Sequence, residues 1–476
     1  MPDPVDAPGS SPSTTPRGLV GWLRGRSSAG VGSIWSGVGM AGSAAATLVA
    51  NLFVVWSAAP AVFADLTVIT IGVTIIAGVF RFGTERVFVP EVQSAFVLEG
   101  QEGGRQRGAD LLALAGLLAV LGGLLVAVGP LRPLLTFSLS EPFTTTEAVL
   151  VGLWVMADVF RLVGCEADRT LGRFVLTLLG GVGLRAPLFL AIVVAERVWL
   201  GTPTRLELLA AASAASMVAL ATGLPSVLRS FPLWRANPVR GLITSWHGNS
   251  MMLAANLTAS LIGGADIWIV GATSGADDRS RYAFAVSTVA GIAMLTTAIN
   301  GGLAPTLAAS AAKGDRAAVI SQSVRFVRIA TVLAGLLLVG LVALGEPLAV
   351  FLGGESYRGV MPFLAILGAG QVMATMCGIS GYVLMAFRRY SLVTLVTVIT
   401  AAVVILLEVV AGFGARSAIL VAVVSGLGTG VLSLANNVIA ARRVGVRTDI
   451  LARPGANSRP ASPAGGSIGH DEVRGT

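Results

Sequence analysis

Ionisable residues inside long apolar stretches are the residues of this sequence that could do chemistry. Asp158, Arg161 and Arg185 lie in two successive apolar runs, and Arg81 ends an earlier one. A charge near the middle of a bilayer costs ~2.5–3.5 kcal/mol on the insertion scale, so such side chains usually face a cavity or a partner. Arginine can hold a phosphate bidentately without losing its proton. Two arginines at this depth, with Arg81 at the end of its segment, therefore indicate an anion-binding site.

Each of these residues also has a purely structural interpretation. Asp158 and Arg185 lie at similar depth, about 16 Å below the outer surface, on consecutive antiparallel helices, so they could form a buried ion pair. Arg161 is one helical turn from Asp158 on the same face. Arg81 could pair with Glu85 or extend to the membrane interface. If Asp158 neutralises one arginine, a positive excess remains, and we expect Arg161 and Arg185 to face a cavity with Arg81 at its inner mouth.

Two acidic residues in the second half form another candidate group. Asp266 and Glu408 lie near the outer ends of the seventh and eleventh apolar segments. They are candidates for a gate or for coupling to an ion gradient, and the alternative is that they are polar caps of an outer cavity.

Other chemistries are not indicated by the sequence. Cys165 and Cys377 lie far apart inside apolar runs, and the sequence has only two histidines, so we predict no metal site. There is no Walker A motif and no nucleophile beside a base, so we predict neither a bound cofactor nor an enzyme. Gly426-x-x-x-Gly430 lies within an apolar segment and predicts close packing of helices.

Composition identifies the elements that must position these residues. Residues of the set AVILMFWYC make up 54% of the 476 residues and charged residues only 12%, which excludes a water-soluble enzyme. The net charge of +8 comes from arginines between apolar runs, where membrane topology explains them without a nucleic-acid partner.

Twelve apolar segments are long enough to cross a bilayer as helices. They are approximately 31–57, 62–80, 109–130, 147–165, 172–196, 206–228, 249–271, 282–305, 326–345, 359–382, 391–413 and 416–440. With the N-terminus inside, twenty-one arginines and lysines precede or follow segments on the inner side and seven lie on the outer side. The positive-inside rule therefore predicts a multi-pass protein of the plasma or inner membrane with both termini cytoplasmic.

The first six segments repeat as the last six, with offsets of 210 to 220 residues. Six crossings return the chain to the same side, so we predict an all-α protein of two parallel-related six-helix lobes around a central cavity. The glycines at 180, 181 and 183 with Pro187 predict a bend in the fifth helix. The predicted regions are a cytoplasmic N-terminal segment (1–30), an N-lobe (31–228), a cytoplasmic linker between the lobes (229–248), a C-lobe (249–441) and a disordered cytoplasmic tail (442–476).

Several short patterns on this layout resemble the MOP superfamily, specifically its polysaccharide-flippase, or Wzx-like, branch. Ala64-Asp65 opens the second helix and Phe88-Val-Pro90 closes it, and Ala265-Asp-Ile-Trp-Ile-Val-Gly271 is followed by Arg281-Tyr-Ala283. Lipid II flippases of the superfamily usually carry arginines in helices one and eight, and drug exporters of its MATE branch commonly place an acidic residue in helix one. Neither feature occurs in this sequence.

The resemblance implies a flippase that moves a polyprenyl-diphosphate-linked oligosaccharide from the inner to the outer leaflet for cell-surface polysaccharide biosynthesis. Its partners would be the bilayer, the lipid-linked glycan, and a polysaccharide polymerase or glycosyltransferases. The alternatives are a cation-coupled exporter of drugs or small molecules, and a membrane scaffold that transports nothing.

Overall fold

The structure is a computed structural model, and it describes residues 29–136, 138–312, 315–387 and 389–452. The described residues form helices and connecting turns without β-strands. The helices are α1 (Ala29–Ser57), α2 (Pro60–Arg81), α3 (Thr84–Leu98), α4 (Gly100–Val128), α5 (Arg132–Thr136), α6 (Thr145–Thr170), α7 (Phe174–Leu178), α8 (Arg185–Trp199), α9 (Arg205–Ser230), α10 (Pro238–Ile262), α11 (Ala265–Thr273), α12 (Ala276–Ala312), α13 (Arg316–Gly353), α14 (Met361–Met376), α15 (Ser380–Ala386), α16 (Tyr390–Val409) and α17 (Ala418–Ile439). The predicted N-terminal segment 1–30 lies almost entirely outside the described residues.

Each of the twelve predicted apolar segments coincides with a helix or a bent pair of helices. Eight helices of the described chain are long and apolar enough to cross a membrane, and two bent pairs, α7 with α8 and α10 with α11, raise the number to ten. The long helices α1 and α12 correspond to the remaining two segments. The prediction of an all-α, multi-pass membrane protein is confirmed.

Local sequence signals explain where several helices begin. Thr144 and Thr204 each form a capping box with the glutamate three residues later, at the starts of α6 and α9. Asn237 caps α10, and Pro238 occupies its first turn, where proline is well tolerated. As a result α10 begins at Pro238, well before the segment predicted from residue 249, and it includes about half of the predicted linker 229–248.

The second crossing helix ends close to the boundary of the predicted segment 62–80, and it does not continue to the Phe88-Val-Pro90 pattern quoted for the family resemblance. Instead α2 ends at Arg81, Phe82 and Gly83 take left-handed backbone conformations with φ of 51° and 70°, and Pro90 lies inside α3. A side chain at Gly83 would meet the backbone of α10, at 2.5 Å from the carbonyl oxygen of Asn249. The break therefore needs glycine both for its φ and for the close approach of α10.

The segment after the last helix is held against the rest of the protein as far as residue 452. Ile450 donates through its backbone N–H to the carbonyl oxygen of Met376 at 3.1 Å, and Asn437 donates to Asp449 at 2.8 Å. Residues 442–452, which were predicted to belong to the disordered tail, thus pack beside the break between α14 and α15. The rest of the predicted tail, 453–476, lies outside the described residues.

Both halves of the chain contribute buried apolar residues to the core, and helices of both halves also present apolar surface. Helices α2 and α6 are buried along most of their length. By contrast α13 and α16 carry large exposed side chains such as Leu336, Leu344 and Leu406, as expected for helices that face lipid. The two halves meet where α1 and α2 pack against α12 and where α4 packs against α10.

The predicted packing role of the glycines in the last helix is confirmed for Gly426. It lies against Gly370 of α14, where a side chain on Gly370 would overlap the backbone of Gly426. Small residues at this crossing let the two helix backbones come into direct contact, as in other membrane helix pairs.

Candidate functional site

A cavity of about 340 Å³ lies among the helices of the first half, with α12 of the second half on one side. Its walls come from α1, α2, α6, α8, α9 and α12. Three kinds of side chain carry its chemistry, namely aromatic rings (Phe63, Trp154, Phe189), hydroxyl and amide groups (Ser43, Thr47, Asn51, Thr67, Thr70, Thr74, Ser287) and two arginines (Arg161, Arg185). Among the described residues that line it, none is acidic.

Arg161 is the more deeply buried of the two arginines, with 3% of its side chain exposed. It pairs with Asp158 one turn earlier on α6 at 3.1 Å. Its guanidinium also donates to the carbonyl oxygens of Gly180 and Gly181. These carbonyls are available because the chain between α7 and α8 forms a π-turn, Leu179–Gly183, in which Gly181 leaves helical geometry. Arg161 is therefore fixed in place by the irregular fifth crossing.

Arg185 is the first residue of α8 and the arginine more open to the cavity. Its side chain is 27% exposed, it lies 3.8 Å from the second carboxylate oxygen of Asp158, and its guanidinium sits 4.9 Å from the centre of the Trp154 ring. The ion pair of Asp158 with Arg185 that the sequence leaves open as a structural interpretation is thus present. The predicted bend beside Arg185 is a 45° angle between the helices on either side.

One carboxylate is shared between two guanidinium groups in this cluster. Ser216 donates a further hydrogen bond to Asp158 at 3.4 Å. Because Asp158 carries one negative charge and the arginines two positive charges, the cluster keeps a net positive charge. That charge faces the cavity through Arg185. Its guanidinium has five N–H donors, and the 3.8 Å pair with Asp158 does not use all of them.

Arg81 is not part of this cluster. It lies 3.9 Å from Glu85 and donates to the carbonyl oxygen of Ala77 at 3.3 Å. Glu85 in turn accepts a hydrogen bond at 2.8 Å from Asn256 of α10. The i,i+4 pairing considered from the sequence is therefore the observed geometry. It places Arg81 at the contact between the two halves, and Arg81 is not among the residues that line the cavity.

A second charged cluster, which the sequence analysis did not recognise, borders the cavity at the end where α1 ends and α2 begins. We call this end the outer end, after the predicted topology. Its centre is Asp65, which is 1% exposed and accepts hydrogen bonds from Arg205 at 3.1 Å, from Ser140 at 2.5 Å, and from Arg279. Arg205 also pairs with Glu147 at 2.7 Å.

This outer cluster links the two halves of the chain beside the cavity. Asp65 belongs to α2 between the cavity-lining residues Phe63 and Thr67, whereas Arg279 belongs to the first turn of α12. The only sequence signals for it are the two capping boxes that begin α6 and α9, and these do not reveal that Arg279 contacts a residue 214 positions earlier.

The two acidic residues singled out in the second half lie together away from the cavity. Asp266 is 3% exposed and accepts hydrogen bonds from Tyr282 at 2.6 Å and Ser425 at 2.8 Å. Glu408 is fully buried on α16, and neither carboxylate oxygen has a hydrogen-bond partner among the described residues.

Helix packing places these two carboxyl groups at the same level. Gly412 lies directly against Ile269 of the neighbouring helix α11. Asp266 is three residues before Ile269, and Glu408 is four residues before Gly412, on helices that run in the same direction. Asp266 and Glu408 therefore each lie about one helical turn before the contact of Ile269 with Gly412, at the same level along their helices. Within the described residues, no group of three or more His, Cys, Asp or Glu side chains could hold a metal ion.

No protein-family model matches the chain, and no curated protein matches it in sequence. Solved structures do match it in fold. A MATE structure in complex with MaD3S covers 91% of this chain and 99% of its own at a TM-score of 0.64 and 12% identity. A MOP superfamily transporter from Pyrococcus furiosus, described as having a binding pocket of reverse polarity, covers 91% and 99% at a TM-score of 0.59 and 13% identity. The lipid II flippase MurJ in an inward closed conformation covers 87% and 88% at a TM-score of 0.61 and 10% identity.

The chain thus has the fold shared by MATE transporters and the MurJ flippase, both of the MOP superfamily. This agrees with the superfamily to which the sequence shows a resemblance. At these identities the similarity establishes the fold alone.

Proposed function

We propose that the protein is a flippase of the Wzx-like type, which moves a polyprenyl-diphosphate-linked oligosaccharide from the inner to the outer leaflet by alternating access. The observation that carries the proposal is the net positive cluster of Arg161, Arg185 and Asp158 at a cavity that no described acidic residue lines. A diphosphate leaving the headgroup region needs charge-assisted donors, and the guanidinium of Arg185 supplies them.

The two alternatives are less well supported by this site. An exporter of cationic drugs would need a cavity with negative charge, because two arginines repel a cation in a region of low dielectric constant. A scaffold that transports nothing has no use for a cavity that carries a positively charged cluster and is flanked by a bent helix. An exporter of small anions shares the positive cavity, and it differs from the flippase in requiring no lipid on its substrate.

The alternating-access part of the proposal assigns roles to three features. The ion pair of Asp65 with Arg279 holds the outer end closed, and its breakage would let the cavity open outwards. The π-turn beside Gly181 is the hinge of the fifth crossing. Arg81, at the inner end of α2 and linked through Glu85 to α10, attracts the anionic headgroup to the inner mouth.

Asp266 and Glu408 are proposed to couple this cycle to a proton gradient. Intramembrane carboxyl groups without a basic partner are typical of proton relays. Glu408 has no such partner among the described residues. Within the same part of the chain, the side-chain donors to Asp266 are the hydroxyl groups of Tyr282 and Ser425.

The charge pattern and the proposed substrate also bear on the orientation of the termini, the membrane and the partner proteins. The arginine asymmetry supports cytoplasmic termini and a plasma or inner membrane location. A glycan delivered to the outer leaflet must be made by glycosyltransferases and consumed by a polymerase, which are therefore candidate partners. The protein itself transports and does not catalyse a covalent reaction.

Deletion of the gene tests this function in the cell. We expect a lipid-linked precursor to accumulate with its sugars facing the cytoplasm, and its extraction and mass analysis would identify the glycan. Wild-type protein and Arg358→Gln, a variant at an exposed arginine paired with Glu355, should both restore export. Arg185→Gln should not. Normal lipid-linked intermediates in the deletion strain would contradict the proposal.

A further inference from the structure

Part of the cavity wall carries hydroxyl and amide groups that binding of a diphosphate does not require. Thr67, Thr70 and Thr74 line the cavity from α2, and Thr47 and Asn51 line it from α1. On each helix these residues are three or four positions apart, so they lie on one face. Each of the two helices thus presents a polar wall to the cavity that Arg161 and Arg185 also line. Along α2 this wall is about 10 Å long at 1.5 Å per residue.

The threonine hydroxyl groups on this wall are already used as donors. Thr67 donates to the carbonyl oxygen of Phe63 at 2.9 Å, and Thr70 to that of Leu66 at 2.7 Å. Thr74 and Thr47 donate in the same way, each to the residue four positions earlier, at 2.9 and 2.8 Å. A hydroxyl oxygen that has donated its hydrogen still offers lone pairs as an acceptor. The wall is therefore a row of hydrogen-bond acceptors.

A row of acceptors selects a ligand that carries O–H or N–H groups. A cation is also bound by oxygen acceptors, but here the neighbouring Arg161 and Arg185 repel it. A neutral ligand with many hydroxyl groups has no such penalty. The amide of Asn51 adds a donor as well as an acceptor, which matches the mixed character of a sugar hydroxyl group.

Aromatic rings complete this environment. Phe63, Trp154 and Phe189 line the same cavity, so the apolar C–H face of a sugar ring can pack on an aromatic surface while its hydroxyl groups reach the wall. The volume of about 340 Å³ is at the lower end of the range of ligand sites, so it accommodates a short part of a glycan in this conformation.

We infer that Thr47, Asn51, Thr67 and Thr70 form a saccharide subsite for the part of the glycan next to the diphosphate held by Arg185. This inference rests on the proposed function and adds to it the element that recognises sugar. Substrate selection then depends on two parts of the cavity. The arginines bind the diphosphate, and the polar residues of α1 and α2 bind the sugars next to it.

Binding measurements on the purified full-length protein test the subsite. The two probes are farnesyl diphosphate, which has no sugar, and N-acetylglucosaminyl-diphosphofarnesol. We expect the wild-type protein to bind the glycosylated probe about tenfold more tightly, as two or three added hydrogen bonds would produce. In Thr67→Val/Thr70→Val, which keeps the β-branched shape but removes both oxygens, this preference should fall to about twofold or less.

Thr244→Val is the matched control. Thr244 donates to the carbonyl oxygen of Arg240 at 2.7 Å in the same way, but it lies exposed on α10, outside the cavity. It should keep the tenfold preference. Because the preference is a ratio of two affinities in one protein, it does not depend on the fraction of a variant that folds.

The outcomes separate the two proposals. If the wild-type protein binds both probes equally, or if the double variant keeps the preference, the saccharide subsite is wrong and the diphosphate site stands. If the wild-type protein binds neither probe, the diphosphate proposal fails and the subsite with it.

Discussion

Arg279 in the first turn of α12 donates a hydrogen bond to Asp65, a residue buried in α2 at the outer end of the cavity. This ion pair joins the two halves of the chain, since the residues are 214 positions apart in sequence. Arg205 and Ser140 hold the other side of the Asp65 carboxylate. If the halves separate at the outer end during transport, this contact must break.

Asp65→Asn should therefore open the outer end more often, because an amide holds two guanidinium groups less strongly than a carboxylate. The measurement is the rate at which a membrane-impermeant thiol reagent, applied outside, labels a Thr67→Cys probe in the cavity. We expect at least a tenfold increase over the Asp65 parent. Asp277→Asn, at an exposed position on the same helix as Arg279, should leave the rate unchanged. Equal rates in all three proteins would contradict the role of the ion pair.

Glu408→Gln should remove the response to a proton gradient while the protein still folds. Glutamine has the shape of glutamate but does not ionise. The carboxylate oxygens of Glu408 have no partner among the described residues, so the substitution breaks no hydrogen bond there. The measurement is substrate transport in proteoliposomes with and without an imposed pH difference. Glu355→Gln changes an exposed glutamate and serves as the control. A gradient response retained in Glu408→Gln would show that coupling does not involve this residue.

Gly370→Ala should lower the stability of the second half by about 1–3 kcal/mol, because the new methyl group overlaps the backbone of Gly426. The readout is the apparent melting temperature in detergent. Gly335→Ala on α13 is the control, since nothing lies within 4 Å of a side chain at that position. It should be neutral or slightly stabilising. A Gly370→Ala protein as stable as the Gly335→Ala protein would refute the close crossing of α14 and α17.

Asp449 gives a pH-dependent contribution to stability outside the crossing helices. Burial alone would raise the pKa of this carboxyl group, but hydrogen bonds from Asn437 and Arg447 outweigh it and hold the pKa below its usual value. Its stabilisation is therefore present above the unfolded pKa of about 3.9 and is lost as the pH falls through the lower folded pKa.

Asp449→Asn should accordingly lower the melting temperature at pH 7 and flatten its dependence on pH below about 4. The loss at pH 7 should correspond to about 1–3 kcal/mol, as for hydrogen bonds to a charged group. Asp277→Asn provides the exposed comparison. An unchanged acid limb of the stability profile in Asp449→Asn would contradict this assignment.

The sequence predicts the crossing helices well because the bilayer imposes a simple requirement. A run of about 20 apolar residues must be helical in lipid whatever it packs against, so all twelve segments could be found without tertiary information. Helix ends are less well predicted. The start of α10 at Pro238 lies in a polar stretch, and only the Asn237-Pro238 pair marks it. Pro90 lies inside α3 because the break at Phe82 and Gly83 comes first.

The grouping of the site residues can be predicted only where they lie on helices that follow one another in the sequence. The grouping of Asp158, Arg161 and Arg185 follows from depth on two consecutive segments. The hydrogen bonds of Arg161 to Gly180 and Gly181 depend on a π-turn, which periodicity does not reveal. The pair of Asp65 with Arg279 depends on how the two halves pack together. From the sequence, the two residues are recognisable only as lying near the starts of their helices, and their contact is not.

The central claim is that Arg185 holds the diphosphate of a lipid-linked glycan during transport. Arg185→Gln should fold, because Asp158 keeps its 3.1 Å pair with Arg161. Arg185→Lys should transport at an intermediate rate, since the charge is kept and the bidentate geometry is lost. The double variant Asp158→Asn/Arg185→Gln removes the ion pair of these two residues entirely and separates a structural role from a binding role.

Flipping of a fluorescent polyprenyl-diphosphate-linked oligosaccharide in proteoliposomes, measured for wild type, Arg185→Gln and the double variant, tests this claim most directly. Melting temperatures of the same preparations report folding. The account predicts that both variants remain folded and that each flips the substrate at least tenfold more slowly than wild type. Flipping at the wild-type rate by the double variant would contradict it, because Arg185 would then serve only to pair with Asp158.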